Sequence, residues 1–268
     1  MTVTTSPRPI ITLLSDFGNR DAYVGSMKGV ILGLNPEAVL VDLTHDLPPQ
    51  NLVAGALVLA GAAPFFPPGT IHLAVVDPGV GSSRRALAAR CRGQFWVGPD
   101  NGLFHLVFKN GPDLRVVSLE KEEYFLPRVA PTFHGRDIFA PVAARLSLGM
   151  NLKELGREIS DPVPLKIPEP VFALETVRGE IIYVDHFGNL VSNLSAAPLR
   201  EWLGGRKLAL RAGTLSLGEW SRTYADAAPG EFLALEGSHG YLEIACTMDN
   251  AARRLGAGVG LLVEIRRG

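Results

Sequence analysis

The chain has 268 residues, of which 47% are hydrophobic and 20% charged, and its formal net charge is −1. This length supports a substantial core in one large domain or two smaller ones, and the composition excludes a disordered chain. Because no basic excess is present to neutralise phosphates, nucleic acid and membrane surfaces are not expected as partners. The longest apolar stretch, residues 52–66, is short for a bilayer span, and no charged-then-apolar leader opens the chain. We therefore expect a cytoplasmic protein.

The first part of the chain alternates strand and helix patterns. Strands are expected where short apolar runs end at turn residues, at residues 10–14, 38–43, 71–76, 86–91, 94–98 and 114–119. The strands at 86–91 and 94–98 are expected to pair with each other. Helices are expected where apolar residues recur every three or four positions, at residues 22–34, 51–63, 102–108 and 138–149. The second helix begins at the capping residue Asn51. This alternation predicts an α/β domain over residues 1–165, with a mostly parallel sheet covered by helices.

The pattern changes at DPVPLKIPEP, residues 161–170, where four prolines predict a stiff extended linker. Short strand-like runs dominate the rest of the chain, and only residues 249–256 read as a helical turn. A smaller all-β, barrel-like domain is therefore expected over residues 171–268. Cys91 and Cys246 lie in separate strand-like runs and are expected to be buried free thiols.

Polar residues stand at three points of the first domain where strands end or a helix begins. Asp16 follows the first strand, Asp77 follows the third, and His134 and Asp137 precede the last helix. Ligands of parallel sheets bind beyond the carboxyl ends of the strands, so these residues are candidates for a site. Each also fits a structural role. Asp16 and Asp137 suit helix caps, Asp77-Pro-Gly suits a turn, and His134 suits a buried structural position.

Two stretches of the second domain carry candidate binding residues. YVDHFGNLVSNL, residues 183–194, places Asp185 and Asn189 around a Phe-Gly pair. Asp185 is expected to hold an ammonium group and Asn189 to offer its amide to a polar ligand, unless the stretch is only a tight turn. GSHGYLEIAC, residues 237–246, offers Ser238 and Glu243, although a glutamate on a strand commonly lies on a solvated face.

Motifs for metals, phosphates and serine hydrolases are missing from the sequence. It contains no His-x-x-x-His, Cys-x-x-Cys or Gly-x-Ser-x-Gly pattern, and DPGVGSS lacks the lysine of a phosphate loop. DFGNRD follows the first strand without the glycine-rich and catalytic loops of a kinase around it. We therefore expect no metal and no cofactor.

A set of longer motifs occurs in order across nearly the whole chain. They are SDFG, Asp21 with YVGSMKGVI, NPEA, VDLTHDLPPQN, AVVDPGVGSSRR, VGPDNGL, TFHGRDIFAPVAA, VDHFGNLVSNL and GYLEIA. Together they resemble the S-adenosyl-L-methionine hydroxide adenosyltransferase family, the adenosine-forming S-adenosyl-L-methionine hydrolases, which are related to the fluorinase and chlorinase enzymes.

The resemblance implies hydrolysis of S-adenosyl-L-methionine to adenosine and L-methionine. It implies an α/β amino-terminal domain, a β-barrel carboxy-terminal domain, and a homotrimer with the ligand between domains of neighbouring subunits. The water-activating set matches Asp77, Arg84 and His134, with Arg85 as the alternative arginine. The positions that match substrate contacts are Asp16, Asp21, Asp77, Asp185, Asn189, Ser238, Glu243 and, through its backbone, Cys246. Gly237 stands where the family usually has asparagine.

Two alternatives to hydrolysis remain at this point. A halide could replace water as the nucleophile, or the protein could bind adenosine or S-adenosyl-L-methionine without turnover. A halide needs no base, so the matches at Arg84 and His134 favour water.

Overall fold

The computed structural model describes residues 8–267, which divide into two compact units between Leu165 and Lys166. Residues 1–7, on which the expectation about a leader partly rests, lie outside the described residues. No helix within residues 8–267 has both the length and the apolar character needed to cross a membrane.

The first unit is built on a seven-stranded sheet with the order β2-β1-β3-β5-β4-β6-β7. Its strands are β1 (Ile10–Ser15), β2 (Val39–Thr44), β3 (Ile71–Val75), β4 (Ala86–Cys91), β5 (Gln94–Pro99), β6 (Arg115–Leu119) and β7 (Gly156–Ile159). Strands β2, β1, β3 and β5 are parallel, and β4, β6 and β7 extend the sheet through antiparallel pairs. The expectation of a mostly parallel sheet is therefore corrected, because the sheet is mixed.

The change of direction begins at the two-residue connection between β4 and β5. Arg92 and Gly93 have φ values of 55° and 73°, in the left-handed region that a tight hairpin turn requires. Asp113 accepts hydrogen bonds from both of their amides, at 2.5 and 3.0 Å. Parallel strands need a crossover of a dozen or more residues, so a connection this short forces β4 and β5 to be antiparallel.

Among the described residues, four α-helices accompany this sheet: α1 (Tyr23–Leu34), α2 (Leu52–Ala62), α3 (His105–Phe108) and α4 (Ala140–Ser147). Asn51 caps α2 as expected, because its side chain accepts from the Ala54 amide at 2.9 Å. The helix expected over 102–108 is reduced to α3. The helix expected over 138–149 starts earlier, as a π-helical turn over Gly135–Phe139 that leads into α4 and directly follows His134.

The second unit is a nine-stranded sheet with the order β12-β11-β16-β9-β10-β15-β14-β13, with β8 paired to β9. Its strands are β8 (Val171–Phe172), β9 (Thr176–Val184), β10 (Leu190–Ser195), β11 (Leu208–Ala212), β12 (Leu215–Leu217), β13 (Trp220–Ser221), β14 (Phe232–Glu236), β15 (Tyr241–Cys246) and β16 (Leu262–Arg267). Both end strands, β12 and β13, pack on one shared core but are not neighbours in the hydrogen-bonded order of the described strands. The sheet is thus curled but open.

Two short helices qualify the expectation of an all-β second domain. α5 (Ala196–Leu203) was not indicated by the sequence pattern, whereas α6 (Ala251–Leu255) falls within the expected helical turn. Each ends at a glycine in the left-handed conformation, Gly204 and Gly256. Cys91 and Cys246 are both buried and free, as expected.

Candidate active site

A buried ion pair lies at the carboxyl end of β3. Asp77 comes two residues after this buried strand, and Arg84 donates from Nε to both oxygens of its carboxylate, at 2.8 and 3.0 Å. Arg84 Nη2 also donates to Asp77. The side chains of Asp77 and Arg84 are only 4% and 10% exposed. This bidentate pairing fixes a permanent positive charge at the end of the strand.

The loop between β3 and β4 folds back so that Arg84 contacts Asp77. Ser82 Oγ donates to the carbonyl of Gly79 at 2.6 Å and accepts from the Arg84 amide at 3.2 Å. Gly81 has a φ of 77°, and a Cβ at this position would lie 2.7 Å from the carbonyl oxygen of Pro131. Only glycine fits such a conformation and approach without strain. The contact brings this loop against the segment that leads to His134.

His134 completes the cluster, because its Nδ1 lies 2.8 Å from Arg84 Nη2. A guanidinium only donates, so Nδ1 accepts this hydrogen bond and the neutral ring carries its proton on Nε2. Burial, together with the positive charge of Arg84, lowers the pKa of His134 below its ordinary value. The cluster therefore joins a carboxylate, a fixed cation and an imidazole that stays neutral at neutral pH.

The neighbouring Arg85 points into a different cluster. Its Nε donates to Asp100 at 2.7 Å, and its Nη1 donates to Asp161 at 2.8 Å. Asp100 also accepts from the Val163 amide at 2.7 Å. Arg85 thus fastens the beginning of the proline-rich linker, and Arg84 is the arginine of the two that contacts Asp77 and His134.

Asp16 and Asp21 follow β1, but they differ in their surroundings. Asp16 is half-buried, and its Oδ2 accepts from the Gln50 amide at 2.7 Å. Asp21 is exposed just ahead of α1. Neither carboxylate caps this helix, whose N-cap residue is Ala22. Asp16 therefore lies at the same sheet edge as Asp77 with one of its oxygens anchored.

Asp137 has a structural position rather than a capping one. It is fully buried and accepts from the Ala130 amide at 2.8 Å and from Arg136 Nε at 2.6 Å. The hydrogen bonds of Arg136 and the Ala130 amide lower the pKa of this carboxyl despite its burial. Asp137 thereby holds the segment that carries His134.

In the second unit, a cavity of about 440 Å³ opens beside the turn that follows β9. It is lined by Phe187 and Asn189 of that turn, by Tyr224, and by the segment from Cys246 to Asp249 at the end of β15. Phe187 is 74% exposed, so an aromatic face is available to a flat ligand. Burial raises the pKa of the Cys246 thiol, so the thiol is neutral here.

Asp185 holds the turn that lines one side of this cavity. Its Oδ1 accepts from the amides of Phe187 and Asn189, at 2.9 and 2.8 Å, and its Oδ2 accepts from Asn189 Nδ2 at 2.9 Å. These hydrogen bonds match the tight-turn alternative for this stretch, because both carboxylate oxygens of Asp185 bind groups of the turn. Because the Nδ2 of Asn189 is turned toward Asp185, its Oδ1 is the amide atom left to accept from a ligand.

Glu243 is almost entirely buried, not on a solvated face. Tyr224 donates its hydroxyl to Oε1 at 2.7 Å, and His239 Nε2 lies 3.3 Å from Oε2. Burial and this carboxylate raise the pKa of Tyr224. Gly237 makes room for the imidazole, because a Cβ there would lie 2.4 Å from His239 Cε1. Ser238 is exposed in the same turn.

Family models match both halves of the chain. The model for the SAM hydroxide adenosyltransferase N-terminal domain matches residues 11–156, and the model for the C-terminal domain matches residues 179–264. The chain belongs to the SAM hydroxide adenosyltransferase family. The resemblance read from the motifs is thereby confirmed.

Similar proteins cover nearly the full length of this family member. A Thermus thermophilus protein named (R)-S-adenosyl-L-methionine hydrolase is 41% identical, with 96% of this chain and 99% of the relative aligned. A Methanocaldococcus jannaschii protein of the same name is 34% identical, with coverages of 92% and 91%. A fluorinase from Nocardia brasiliensis is 30% identical over all of both chains.

The fold is also similar to solved structures. The crystal structure of an uncharacterized conserved protein from Thermotoga maritima superposes with a TM-score of 0.89 at 36% identity, over 96% of this chain and all of that one. A conserved hypothetical protein from Thermus thermophilus superposes with a TM-score of 0.77 at 37% identity, covering 97% and 100% of the two chains.

Sequence reasoning missed several residues of this family member's candidate site. Tyr224 lies in a 3₁₀ turn, Tyr224–Asp226, with no motif around it that the sequence analysis used. His239 was missed because the contact of its ring with Glu243 depends on how this turn folds, which the sequence pattern does not indicate. Phe187 was noted only as part of a turn, although its exposure makes it a wall of the cavity.

Proposed function

We propose that this protein hydrolyses S-adenosyl-L-methionine to adenosine and L-methionine. The observation that carries the proposal is the contact of Arg84 with both Asp77 and His134, in a family whose curated relatives are named for this hydrolysis. The substrate is a sulfonium, so C5′ is a primary carbon with a neutral leaving group. The protein has to position a water behind C5′ and accept a proton from it as the oxygen–C5′ bond forms.

The cluster suits that task when a water enters between Arg84 Nη2 and His134 Nδ1, which now contact each other directly. Arg84 then donates to the water oxygen, and the water donates to Nδ1. As the oxygen–C5′ bond forms and the C5′–sulfur bond breaks, sulfur takes the electron pair and Nδ1 takes the proton. A fixed cation favours the developing hydroxide, and Asp77 orients that cation. The reaction needs no metal or redox cofactor.

The remaining residues are proposed as substrate contacts. Asp16, whose Oδ2 is held by Gln50, offers Oδ1 to a ribose hydroxyl, and Asp21 lies toward the methionine moiety. Asn189 and the backbone of Cys246 bind adenine in the 440 Å³ cavity, with Phe187 and Tyr224 as aromatic walls. Asp185 holds Asn189 in place, and Glu243 acts through Tyr224. Ser238 stays a proposed contact of the nucleoside.

We also propose a homotrimer in which the carboxy-terminal domain of one subunit completes the site of its neighbour. A mixture of His134→Ala and Asn189→Ala proteins tests this arrangement, because each variant is defective in a different domain. Partial activity should return after subunit exchange. A mixture that stays inactive, with exchange demonstrated by mass spectrometry, would place the whole site within one subunit.

The reaction itself is tested by product analysis. The protein is incubated in heavy-oxygen water with S-adenosyl-L-methionine containing both sulfonium epimers, with and without chloride or fluoride. Adenosine carrying one heavy oxygen is expected in every buffer, with the R epimer consumed, in keeping with the names of the relatives. A 5′-halogenated nucleoside would instead indicate a halogenase. Bound, unchanged substrate would indicate a binding protein.

Adjacent arginines provide a matched control for the catalytic cluster. Arg84→Gln should lower turnover by a factor on the order of 10² to 10³, the effect of losing one charge-stabilising donor. Arg85→Gln should retain most of the turnover, since Arg85 contacts Asp100 and Asp161. His134→Ala should reduce turnover far more than adenosine binding. Equal losses in both Arg variants would contradict the assignment of Arg84.

A further inference from the structure

A chain of four polar side chains lies behind the loop that carries Asp16. Ser15 Oγ is 2.7 Å from His45 Nδ1, and His45 Nε2 is 3.1 Å from Asp42 Oδ1. Lys28 of α1 donates to the other oxygen of Asp42 at 2.6 Å. Ser15 and His45 are buried, at 0% and 3% exposure. The proposed reaction does not use any of these four residues.

The combination of serine, histidine and aspartate is not a nucleophilic triad here. Ser15 Oγ is inaccessible, and it already receives the amide of Phe17 at 3.3 Å. Its hydroxyl proton is directed at His45, so both hydrogen-bonding roles of the hydroxyl are occupied. An acyl-transfer nucleophile needs an exposed oxygen that a substrate can reach. The four side chains therefore hold the neighbouring loop in place.

The direction of each hydrogen bond follows from the charged end of the chain. Partial burial opposes ionisation of Asp42, but the hydrogen bonds from Lys28 and His45 outweigh it and lower the pKa of the carboxyl. When Nε2 of His45 donates its proton to the carboxylate, Nδ1 is the ring nitrogen that can accept the proton of Ser15. Ser15 in turn orients the amide that follows Asp16.

The same histidine also holds the loop after β1 through its backbone. The Gly18 amide donates to the His45 carbonyl at 2.8 Å. Asn19 Nδ2 lies 3.3 Å from the carboxylate of Asp46. The Gln50 amide donates to Asp16 Oδ2 at 2.7 Å. The loop after β1 is thus fastened to His45 and to residues that follow it, with Asp16 between the fastened residues Ser15 and Gly18.

We propose that His45 is a positioning residue that, through Ser15, fixes the Asp16 carboxylate in the orientation that receives a sugar hydroxyl. The inference rests on the proposed function for the identity of the ligand. The positioning itself concerns residues 15–50 and has a readout without substrate. A carboxylate held by one oxygen presents the other in a defined direction, which lowers the cost of binding.

The decisive comparison is between Ser15→Ala and Thr12→Val. Thr12 lies on the same strand and makes a buried hydroxyl–imidazole hydrogen bond of the same length, with Oγ1 and His72 Nδ1 2.7 Å apart. Both variants lose one buried hydroxyl–imidazole contact, but only Ser15 adjoins Asp16. Ser15→Ala should raise KM about tenfold with kcat within about twofold, the size of one lost hydrogen bond. Thr12→Val should leave KM near that of the parent protein.

Amide hydrogen exchange gives the second readout, because the Gln50 amide reports the hydrogen bond to Asp16 directly. Ser15→Ala should accelerate exchange at Gln50 about tenfold, and Thr12→Val should not. Equal KM and equal exchange in the two variants would overturn the inference, as would faster exchange with unchanged KM. If the parent protein releases no adenosine, the proposed function fails, and the exchange comparison still decides whether Ser15 anchors Asp16.

Two substitutions of His45 separate its two side-chain contacts. In His45→Asn, the side-chain amide takes the place of Nδ1 and can accept from Ser15, but it is too short to reach Asp42. In His45→Gln, the side-chain amide takes the place of Nε2 and can donate to Asp42, but the contact with Ser15 is lost. If the contact with Ser15 positions Asp16, His45→Asn should resemble the parent protein in KM and His45→Gln should resemble Ser15→Ala. The opposite order would show that the contact with Asp42 matters and would contradict the proposal.

Discussion

The Asp77–Arg84 pair allows a quantitative prediction about folding stability. Asp77→Asn leaves Arg84 charged in a place where its side chain is 10% exposed. Breaking a buried ion pair by removing one partner costs about 3–5 kcal/mol, because the other charge stays buried and uncompensated. We expect a loss of about 3 kcal/mol, the lower end of that range. Asparagine retains one acceptor, and Arg84 keeps its contact with His134.

Asp161→Asn is the matched control. Asp161 pairs with the neighbouring Arg85 at 2.8 Å, but its side chain is 75% exposed. An exposed pair of this kind contributes about 0–1 kcal/mol, because water screens and solvates both charges. The two variants therefore remove one carboxylate each from adjacent arginines. They differ in burial, and Arg85 also keeps Asp100 as a partner, so both differences predict the smaller loss for Asp161→Asn.

The assay is urea unfolding of the full-length protein, with the midpoint and the slope fitted separately for each variant. A difference of at least about 2 kcal/mol between the two variants is expected, from the values for buried and exposed pairs. The double variant Asp77→Asn/Arg84→Gln should lose less than the sum of its single variants, since it removes the uncompensated charge. Equal losses in Asp77→Asn and Asp161→Asn, or strict additivity in the double variant, would refute the reasoning.

Three further predictions concern the sites. Because the pKa of His134 is lowered and the base must be neutral, kcat/KM should fall only as pH drops through a value below the ordinary histidine pKa. Arg84→Gln should move that limb to higher pH by removing a positive charge; a limb above about 6.5 in the parent protein would contradict this. Gly81→Ala should lower the free energy of unfolding in urea by about 2 kcal/mol and should also lower kcat. Gly149→Ala is its control, because Gly149 has a φ of 91° but no atom lies within 4 Å of a Cβ placed there. Tyr224→Phe should lower the free energy of unfolding by about 1–2 kcal/mol, because Glu243 is left with an unpaired oxygen. It should weaken adenosine binding, measured by calorimetry, less than Tyr224→Ala does.

The sequence predicted the strand ends of the first unit well, because buried strands read as uninterrupted apolar runs. The placement of Asp16 and Asp77 at the carboxyl ends of β1 and β3 followed directly from those runs. The pairing of β4 with β5 was expected, and the two-residue connection at Arg92 and Gly93 makes that pair antiparallel. The antiparallel pairing of β6 and the whole of β7 were missed. Strand direction there depends on the length of the connection rather than on apolar pattern.

The choice between Arg84 and Arg85 shows what the sequence left undecided. Both arginines follow the same glycine-rich loop, and the motif alone favoured Arg84 only by register. Asp161, a partner of Arg85, lies 76 positions further along the chain. The direction of each arginine side chain therefore depends on how distant segments of the chain meet. Glu243 is a similar case, because its burial depends on Tyr224 and His239 folding over one face of β15.

The crowding at Gly237 limits which residues this turn accepts. A Cβ at this position would lie 2.4 Å from His239 Cε1 and 2.6 Å from Glu243 Oε2. Because both atoms stand at the ends of side chains, a larger residue at position 237 would force His239 and Glu243 to move. Their contact with each other, and the hydrogen bond of Glu243 with Tyr224, would change with that movement. A residue without a side chain thus sets how closely an imidazole and a carboxylate approach each other.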